Sequence, residues 1–154
     1  MKNKNLAQTK LDRDHAEEIF CTCIGARMRA ITRAVSAIYE DAMRPYRIRF
    51  SQMNILVATM QTGETLPAEL SRMLQLDHST VSRGVGRMTE RGWLETLENE
   101  DGRLAPVRVT KKGQALVAKA YPAWKEAQQQ ACKLVGPEFE SEIHATMNTL
   151  LKTP

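Results

Sequence analysis

The amino-acid sequence predicts a mainly α-helical fold with one small β-hairpin. Three observations lead to this class. Apolar residues recur at spacings of three or four over long stretches, which is typical of amphipathic helices. Two short β-prone runs flank the turn dipeptide Asp101-Gly102. Only 5% of the 154 residues are aromatic. The length fits a single domain over 1–154, in which we expect helices within 12–43 and 111–152 to flank a central lobe at 47–110.

The N-terminal part has the pattern of one long amphipathic helix, from about residue 15 to 43. Its apolar stripe runs from Phe20 and Ile24 to Tyr39, and it should end before Pro45, because the residue ahead of a proline is pushed out of helical geometry. Ser51 is the expected N-cap of the next helix, and Gly63 its end.

A compact pair of helices follows. Pro67 suits the first turn of a short helix, and Asp77 is the expected cap of a second helix that runs to Arg91 and ends at Gly92. Runs 93–97 and 107–109 have the pattern of two short strands. Thr110 should then cap a helix to about residue 134, kinked at an internal proline, and a last helix should restart at 136–138.

The segment 78–91, drawn as a helical wheel, separates an apolar face from a polar one. Val81, Val85 and Met88 share one face. The opposite face carries short hydroxyls, an arginine and a glycine, a set that suits a helix in the DNA major groove, where arginine bonds guanine twice. A short helix, a tight turn, a capped second helix and a β-hairpin form the layout of a winged helix-turn-helix.

In this order and spacing the sequence resembles the MarR (multiple-antibiotic-resistance regulator) family. The segments that carry the resemblance are LPAELSRMLQLDHSTVSR at 66–83, RGWL at 91–94, DGR at 101–103 and VTKKG at 109–113. The likeness extends from about residue 13 to 152. It implies a homodimer held by dimerisation helices at 12–43 and 111–152, with a winged helix-turn-helix lobe between them that binds double-stranded DNA as a transcription regulator, expected to be a repressor.

The resemblance also assigns roles to single residues. The helix at 77–91 would lie in the major groove, and Arg103 at the wing tip would enter the minor groove, held by an ion pair with Asp101. The side chains expected to face bases are His78, Ser79, Ser82 and Arg83, and those expected to face the DNA backbone are Thr80 and Arg87. One departure from the family is a pair of glycines, Gly84 and Gly86, inside this helix, where each costs roughly 1 kcal/mol relative to alanine.

Members of this family commonly release DNA on binding a small aromatic or anionic effector, and others respond to thiol oxidation. Exposed arginines at 27, 29, 44 and 49 are candidates to meet an anion. Cys21, Cys23 and Cys132 could serve a thiol-redox-responsive regulator or, from another class, a small thiol oxidoreductase. Two residues apart on a helix, Cys21 and Cys23 point about 200° apart and are expected to be packing residues, while a disulfide across the dimer or to Cys132 stays open.

The remaining features limit the classes of function that the sequence allows. The net charge of +4 is compatible with nucleic acid without demanding it. The three histidines show no metal-ligand spacing, and no phosphate loop or nucleophile elbow appears, so neither metal, cofactor nor catalytic residues are expected. No apolar run is long enough to span a membrane and the N-terminus lacks a secretory pattern, which favours the cytoplasm. A winged helix that binds protein instead of DNA remains the third alternative.

Overall fold

The computed structural model describes the backbone of residues 2–97 and 105–150, and side chains over 12–97 and 105–149. Within these ranges it is mainly helical with one small antiparallel sheet, as the sequence predicts. The chain divides into two compact units, Met1–Ala37 and Ile38–Pro154. None of the helices in the described part of the chain is both long and apolar enough to cross a membrane.

The first unit contains α1 (Lys2–Thr22) and the start of α2 (Ile24–Met43). The expectation of one uninterrupted helix from about residue 15 is wrong, because the helix starts earlier and is interrupted at Cys23. The guanidinium of Arg27 donates to the carbonyl oxygen of Cys21, which is the acceptor that a regular helix reserves for the N–H of Gly25.

The second unit continues from the end of α2 through a 3₁₀ turn, Arg44–Tyr46, into α3 (Phe50–Thr62). Ser51 is not the N-cap of α3, as the sequence suggested, because the helix begins at Phe50, two residues earlier than a cap at Ser51 implies. Arg49 holds the cap position, and its backbone N–H donates to Oε1 of Gln52 at 3.0 Å. The side chain three residues into the helix therefore closes this end, and the expected glycine, Gly63, ends it with a positive φ of 78°.

Three short strands form the sheet in the order β1-β3-β2. They are β1 (Glu64–Thr65), β2 (Leu94–Thr96) and β3 (Val107–Val109), and both pairings are antiparallel. The predicted hairpin of β2 and β3 is present, and β1 adds a third strand that the sequence pattern did not show. Between β1 and β2 lie α4 (Pro67–Leu74) and α5 (His78–Glu90).

The core of the lobe draws apolar side chains from α3, α4, α5, β2 and β3. Its fully buried members on these elements include Leu56, Leu70, Val81, Met88, Leu94 and Val107, and Met43 at the end of α2 is fully buried with them. Burying a side chain of this size is worth about 1.5–3 kcal/mol. The two-helix motif is therefore held by a common core, which fixes the direction in which the polar face of α5 points.

Two long helices complete the unit, α6 (Lys111–Val135) and α7 (Pro137–Leu150). Thr110 caps α6 as predicted, since its hydroxyl accepts from the N–H of Gly113 at 3.1 Å. The helix runs on through Pro122, and Gly136 separates it from α7 with a positive φ of 83°.

Candidate nucleic-acid interface

Helix α5 presents one buried and one exposed face, as the helical wheel predicts. Val81, Val85 and Met88 are buried in the core. Every described residue predicted to meet DNA has an exposed side chain, namely His78, Ser79, Thr80, Ser82, Arg83 and Arg87. The structure therefore brings these six side chains together on one helix with nothing in their own lobe covering them.

The two glycines of α5 occupy different surroundings. Gly84 is buried, and a Cβ built on it would lie 3.1 Å from Cδ1 of Ile55, tighter than an ordinary contact. A Cβ on Gly86 would meet no heavy atom within 4 Å. Gly84 thus allows α5 to pack closely against α3, whereas nothing in the structure explains Gly86.

The turn that leads into α5 is fixed by backbone and side-chain hydrogen bonds. Gln75 adopts a left-handed conformation, with φ of 52°, and its side-chain amide donates to the carbonyl of Arg72 at 2.9 Å. The N–H of Leu76 donates to the carbonyl of Ser71 at 3.0 Å. Asp77 is at the N-cap position as expected, but its side chain makes no capping hydrogen bond. Its carboxylate favours the helix through the dipole alone.

One arginine on the exposed face of the wing links its three strands. Nε of Arg108 on β3 lies 2.8 Å from Oε1 of Glu95 on β2, and Nη1 lies 3.6 Å from Oε1 of Glu64 on β1. Such exposed pairs contribute little stability, but here a single guanidinium spans all three strands. The predicted minor-groove residues at the wing tip, Asp101 and Arg103, lie outside the described residues.

A concave surface beside α5 is lined by five arginines, and we call it the arginine cleft. Its volume is about 560 Å³. Three of the arginines come from the segment between α2 and α3 and two from α5 or its C-cap, in chain order Arg44, Arg47, Arg49, Arg87 and Arg91. The sequence offered four arginines as anion ligands, and two of them, Arg44 and Arg49, line this cleft. Arg47 and Arg91 were missed, and Arg87 was assigned only to the DNA backbone, because the cleft joins segments about 40 residues apart in the chain.

A second cavity, of about 500 Å³, lies between α3 and α6 and is largely apolar. Tyr121 and Trp124 of α6 stack with their ring centroids 5.9 Å apart. Other side chains at this groove come from α3, α4 and α6 and include Met53, Val57, Met60, Leu74 and Val117. Its surface suits an aromatic or aliphatic group.

The three cysteines are all free thiols in different surroundings. Cys21 is exposed and Cys23 is half-buried. Cys132 on α6 donates to Oε1 of Glu140 on α7 at 3.1 Å and accepts from Nε2 of Gln128 at 3.3 Å. The hydrogen bond to a carboxylate, together with partial burial, raises the pKa of the Cys132 thiol. A raised pKa disfavours the reactive thiolate.

Tyr39 extends this polar network to α2. Its hydroxyl donates to the side-chain oxygen of Gln128, and its ring stacks on Phe50 with centroids 4.3 Å apart. Burial, followed by the nearby Cys132 and Glu140, raises the pKa of Tyr39. Among the described residues no group of three or more histidine, cysteine or acidic side chains could hold a metal ion.

Comparison with known proteins identifies what the chain resembles. Residues 48–104 match the sequence model of the MarR family. The multiple antibiotic resistance protein MarR of Escherichia coli is 24% identical over 138 residues, which cover 84% of this chain and 88% of that protein.

Solved structures show the same fold at under 25% identity. A mutant of E. coli MarR complexed with operator DNA superposes with a TM-score of 0.74 at 18% identity, covering 87% of this chain and 97% of that one. The Bordetella bronchiseptica regulator BpsR, whose DNA binding is regulated by 6-hydroxynicotinic acid, has a TM-score of 0.75 at 19% identity, covering 84% and 98%.

Proposed function

We propose that this chain is a sequence-specific repressor that binds a pseudo-palindromic operator as a homodimer. The premise is that it belongs to the MarR family of winged helix-turn-helix transcription regulators. The observation that carries the proposal is the face of α5 described above. Its polar side chains are all exposed, while the opposite face of the same helix forms the core. A helix held in this way can enter the major groove without losing its own packing.

The division of roles on α5 follows from side-chain chemistry. Arg83 can read guanine through two hydrogen bonds, and His78, Ser79 and Ser82 can bond base edges beside it. Thr80 and Arg87 are assigned to the phosphate backbone, which positions the protein without reading sequence. At the wing tip, Arg103 is proposed to enter the minor groove and Asp101 to orient it, on the family resemblance of that segment.

The homodimer is supported by apolar side chains left exposed on the long helices. On the first unit these are Ile19, Phe20 and Ile24, which are 65%, 85% and 75% exposed. On the second unit they are Leu134, Ile143 and Met147, which are 57%, 38% and 39% exposed. Clusters of large exposed apolar residues mark interaction surfaces, and a second copy of the chain would cover both sets.

Two variants test the assignment of DNA contacts. The preferred duplex is first selected from a random-sequence pool, and affinities are then measured on it and on a scrambled duplex at two salt concentrations. Arg83→Ala should cost roughly 1–3 kcal/mol on the selected duplex and relax the preference at one base position. Arg103→Ala should weaken binding to both duplexes and reduce the salt slope by about one unit.

The matched control is Arg33→Ala, which removes an exposed arginine from α2 and should change neither quantity beyond a small loss of non-specific attraction. If Arg83→Ala weakens both duplexes equally, the base-reading role of α5 is wrong. If the wild-type chain selects no duplex, the DNA-binding proposal itself fails.

We also propose that a small aromatic or anionic effector changes the affinity of the protein for DNA. The apolar groove and the arginine cleft are two cavities of suitable size for such molecules. BpsR, whose structure this chain resembles, is regulated by 6-hydroxynicotinic acid. Thiol oxidation, the alternative effector, gains no support at Cys132, whose raised pKa works against it.

A further inference from the structure

The arginine cleft runs along one side of α5, between the core face and the outermost face of that helix. The residues of α5 and its C-cap that line the cleft are Thr80, Gly84, Arg87 and Arg91, spaced by four, three and four positions. Residues at these spacings form one row along a helix. The cleft therefore follows α5 from its first turn to its C-terminal end.

The other wall of the cleft, from the segment 44–49, carries more positive charge than its surroundings neutralise. Arg44 pairs with Asp41 of α2. Among the described residues, none pairs with the side chains of Arg47, Arg49 or Arg87, and all three are exposed. Three exposed guanidinium groups therefore border one cavity without a counter-charge of their own.

The acidic residue among those that line the cleft does not restore the balance. Oε1 of Glu40 already accepts the backbone N–H of Phe50 at 3.2 Å, at the junction of α2 and α3. One carboxylate cannot neutralise three guanidinium groups, and like charges held together repel unless anions lie between them. The cleft is therefore suited to a partner that brings several negative charges.

Hydrogen bonds hold the segment that carries Arg47 to the C-terminal end of α5. Nη1 of Arg91 donates to the carbonyl oxygen of Arg47 at 2.9 Å, and Nζ of Lys112 on α6 donates to the carbonyl oxygen of Arg91 at 2.6 Å. The guanidinium of Arg91 also lies 4.8 Å from the ring centroid of Trp93, within cation–π distance. These contacts fix the spacing of the two walls before a partner binds, which reduces the entropic cost of binding.

A helix that lies in the major groove has a sugar–phosphate backbone along each of its sides. The groove is about 12 Å wide and a helix with its side chains is about 10–12 Å across, so each side of the helix comes close to one strand. With Ser82 and Arg83 of α5 toward the bases, the side that bears Thr80 and Arg87 faces one of these strands. The segment 44–49 lies beyond that side, because it forms the other wall of the cleft.

We propose that the arginine cleft binds neighbouring phosphates of one DNA strand, and that Arg47 and Arg49 are phosphate contacts outside the helix-turn-helix. They extend the row begun by Thr80 and Arg87. The inference rests on the proposed function, since it requires α5 in the major groove. An arginine can form two parallel hydrogen bonds with a phosphate, so it fixes orientation as well as adding attraction. Such contacts position the protein without reading sequence.

The first experiment measures the salt dependence of DNA binding by the full-length chain, on the selected duplex and on a scrambled one. Arg47→Gln and Arg49→Gln should each weaken binding to both duplexes by a similar factor. The salt slope should fall by about 0.9 for each phosphate contact removed. Glutamine suits position 47, where φ is 55°, because Gln75 adopts a similar conformation. Arg49→Lys keeps the charge and should retain the slope, although it loses the two-bond geometry.

Two controls separate a lost contact from a loss of structure or of net charge. Arg33→Gln removes an exposed arginine of α2 that does not line the cleft, and it should keep the wild-type slope. The thermal unfolding midpoints of the variants should equal that of wild type. If Arg33→Gln lowers the slope as much as Arg47→Gln does, net charge is the cause and the assignment to the cleft is wrong.

The second experiment locates the phosphates. Single phosphates of the selected duplex are replaced in turn by uncharged methylphosphonate, and affinity is measured for wild type and for Arg47→Gln. At the phosphate that Arg47 contacts, the replacement should weaken wild type about tenfold, the effect of losing one charge-assisted hydrogen bond. It should leave the variant unchanged, because that contact is already absent, and such coupling identifies a direct pair.

Arg49→Gln should show the same coupling at a nearby phosphate of the same strand. Because the coupling is a difference between two duplexes bound by one protein, a uniform loss of affinity in a variant does not imitate it. Effects that simply add at every phosphate, for both variants, would overturn the proposal.

The outcomes also separate this inference from the proposed function. Variants that bind the selected duplex like wild type at every salt concentration would sink the inference, leave the DNA-binding proposal standing and point to an acidic protein as the partner of the cleft. A wild type that selects no duplex, but binds random DNA with a slope that Arg47→Gln lowers, would keep the phosphate contacts and sink the sequence-specific regulator. A wild type that binds no DNA would overturn both.

Discussion

At the scale of single residues, the thiol of Cys132 donates a hydrogen bond that links two helices. The thiol on α6 donates to the carboxylate of Glu140 on α7, and this bond, with partial burial, holds the pKa of Cys132 above its ordinary value of about 8.5. The stability that the bond contributes is fully present below that ordinary value. It is lost as the pH rises through the raised value, because the thiolate cannot donate and faces a carboxylate of the same charge.

We therefore predict that, above about pH 8, the unfolding midpoint of wild type falls more steeply with pH than that of Cys132→Ser. A serine hydroxyl can donate to Glu140 but does not ionise in this range. Thermal unfolding followed by circular dichroism across the range measures both slopes. Cys21→Ser, at an exposed position, is the matched control and should follow wild type. Parallel curves for Cys132→Ser and wild type would contradict the prediction.

At the scale of elements, the N-terminus of α4 depends on a carboxylate. Oε2 of Glu69 accepts from the N–H of Leu66 and from the hydroxyl of Thr65, both at 3.0 Å. The backbone hydrogen bond from Leu66, then the one from Thr65, lowers the pKa of Glu69. The contribution of Glu69 is present above the ordinary value of about 4.3 and is lost as the pH falls through the lowered value.

Glu69→Gln should therefore lower the unfolding midpoint at pH 7, and the gap to wild type should narrow below about pH 4. The amide oxygen of glutamine accepts hydrogen bonds more weakly than an ionised carboxylate. Glu126→Gln, on the exposed face of α6, removes the same charge and should have little effect at either pH. A gap that stays constant over the whole range would show that Glu69 acts through packing instead.

Most helix ends could be predicted because single residues determine them. Pro67, Thr110 and Gly63 each impose a local backbone preference, and α4, α6 and α3 start or end there. Other boundaries depend on contacts that a pattern does not contain. No proline or glycine at Cys23 marks the interruption between α1 and α2, and β1 is two residues long, too short to show any alternation.

More of the candidate DNA surface than of the arginine cleft could be predicted from the sequence. Burial on α5 follows from helical periodicity, so the exposure of Arg83 and Arg87 could be predicted from Val81 and Met88. The cleft forms only when the segment after α2 packs beside α5, which is a tertiary event. The role of Gly84 could not be predicted from the sequence either, because it depends on how closely this position approaches the side chain of Ile55 on α3.

At the scale of the whole molecule, the exposed apolar side chains predict an obligate dimer. Sedimentation at micromolar concentration should show dimer and no stable folded monomer. Phe20→Glu places a charge on the most exposed of the large apolar residues and should raise the dissociation constant of the dimer. Thr96→Glu adds the same charge at an exposed position on β2, outside the dimerisation helices, and should leave it unchanged. A folded wild-type monomer would refute the dimer.

The close approach at Gly113 fixes the first turn of α6 against the base of the wing. A Cβ on Gly113 would lie 2.3 Å from the carbonyl oxygen of Trp93, and the N–H of Thr110 donates to that same oxygen at 3.0 Å. There is no room for the first turn of α6 to slide along the sheet. A helix of 25 residues is about 37 Å long, so a tilt of about 5° at the wing displaces its far end by about 3 Å. A change in the direction of the wing would therefore be carried along α6 to its far end.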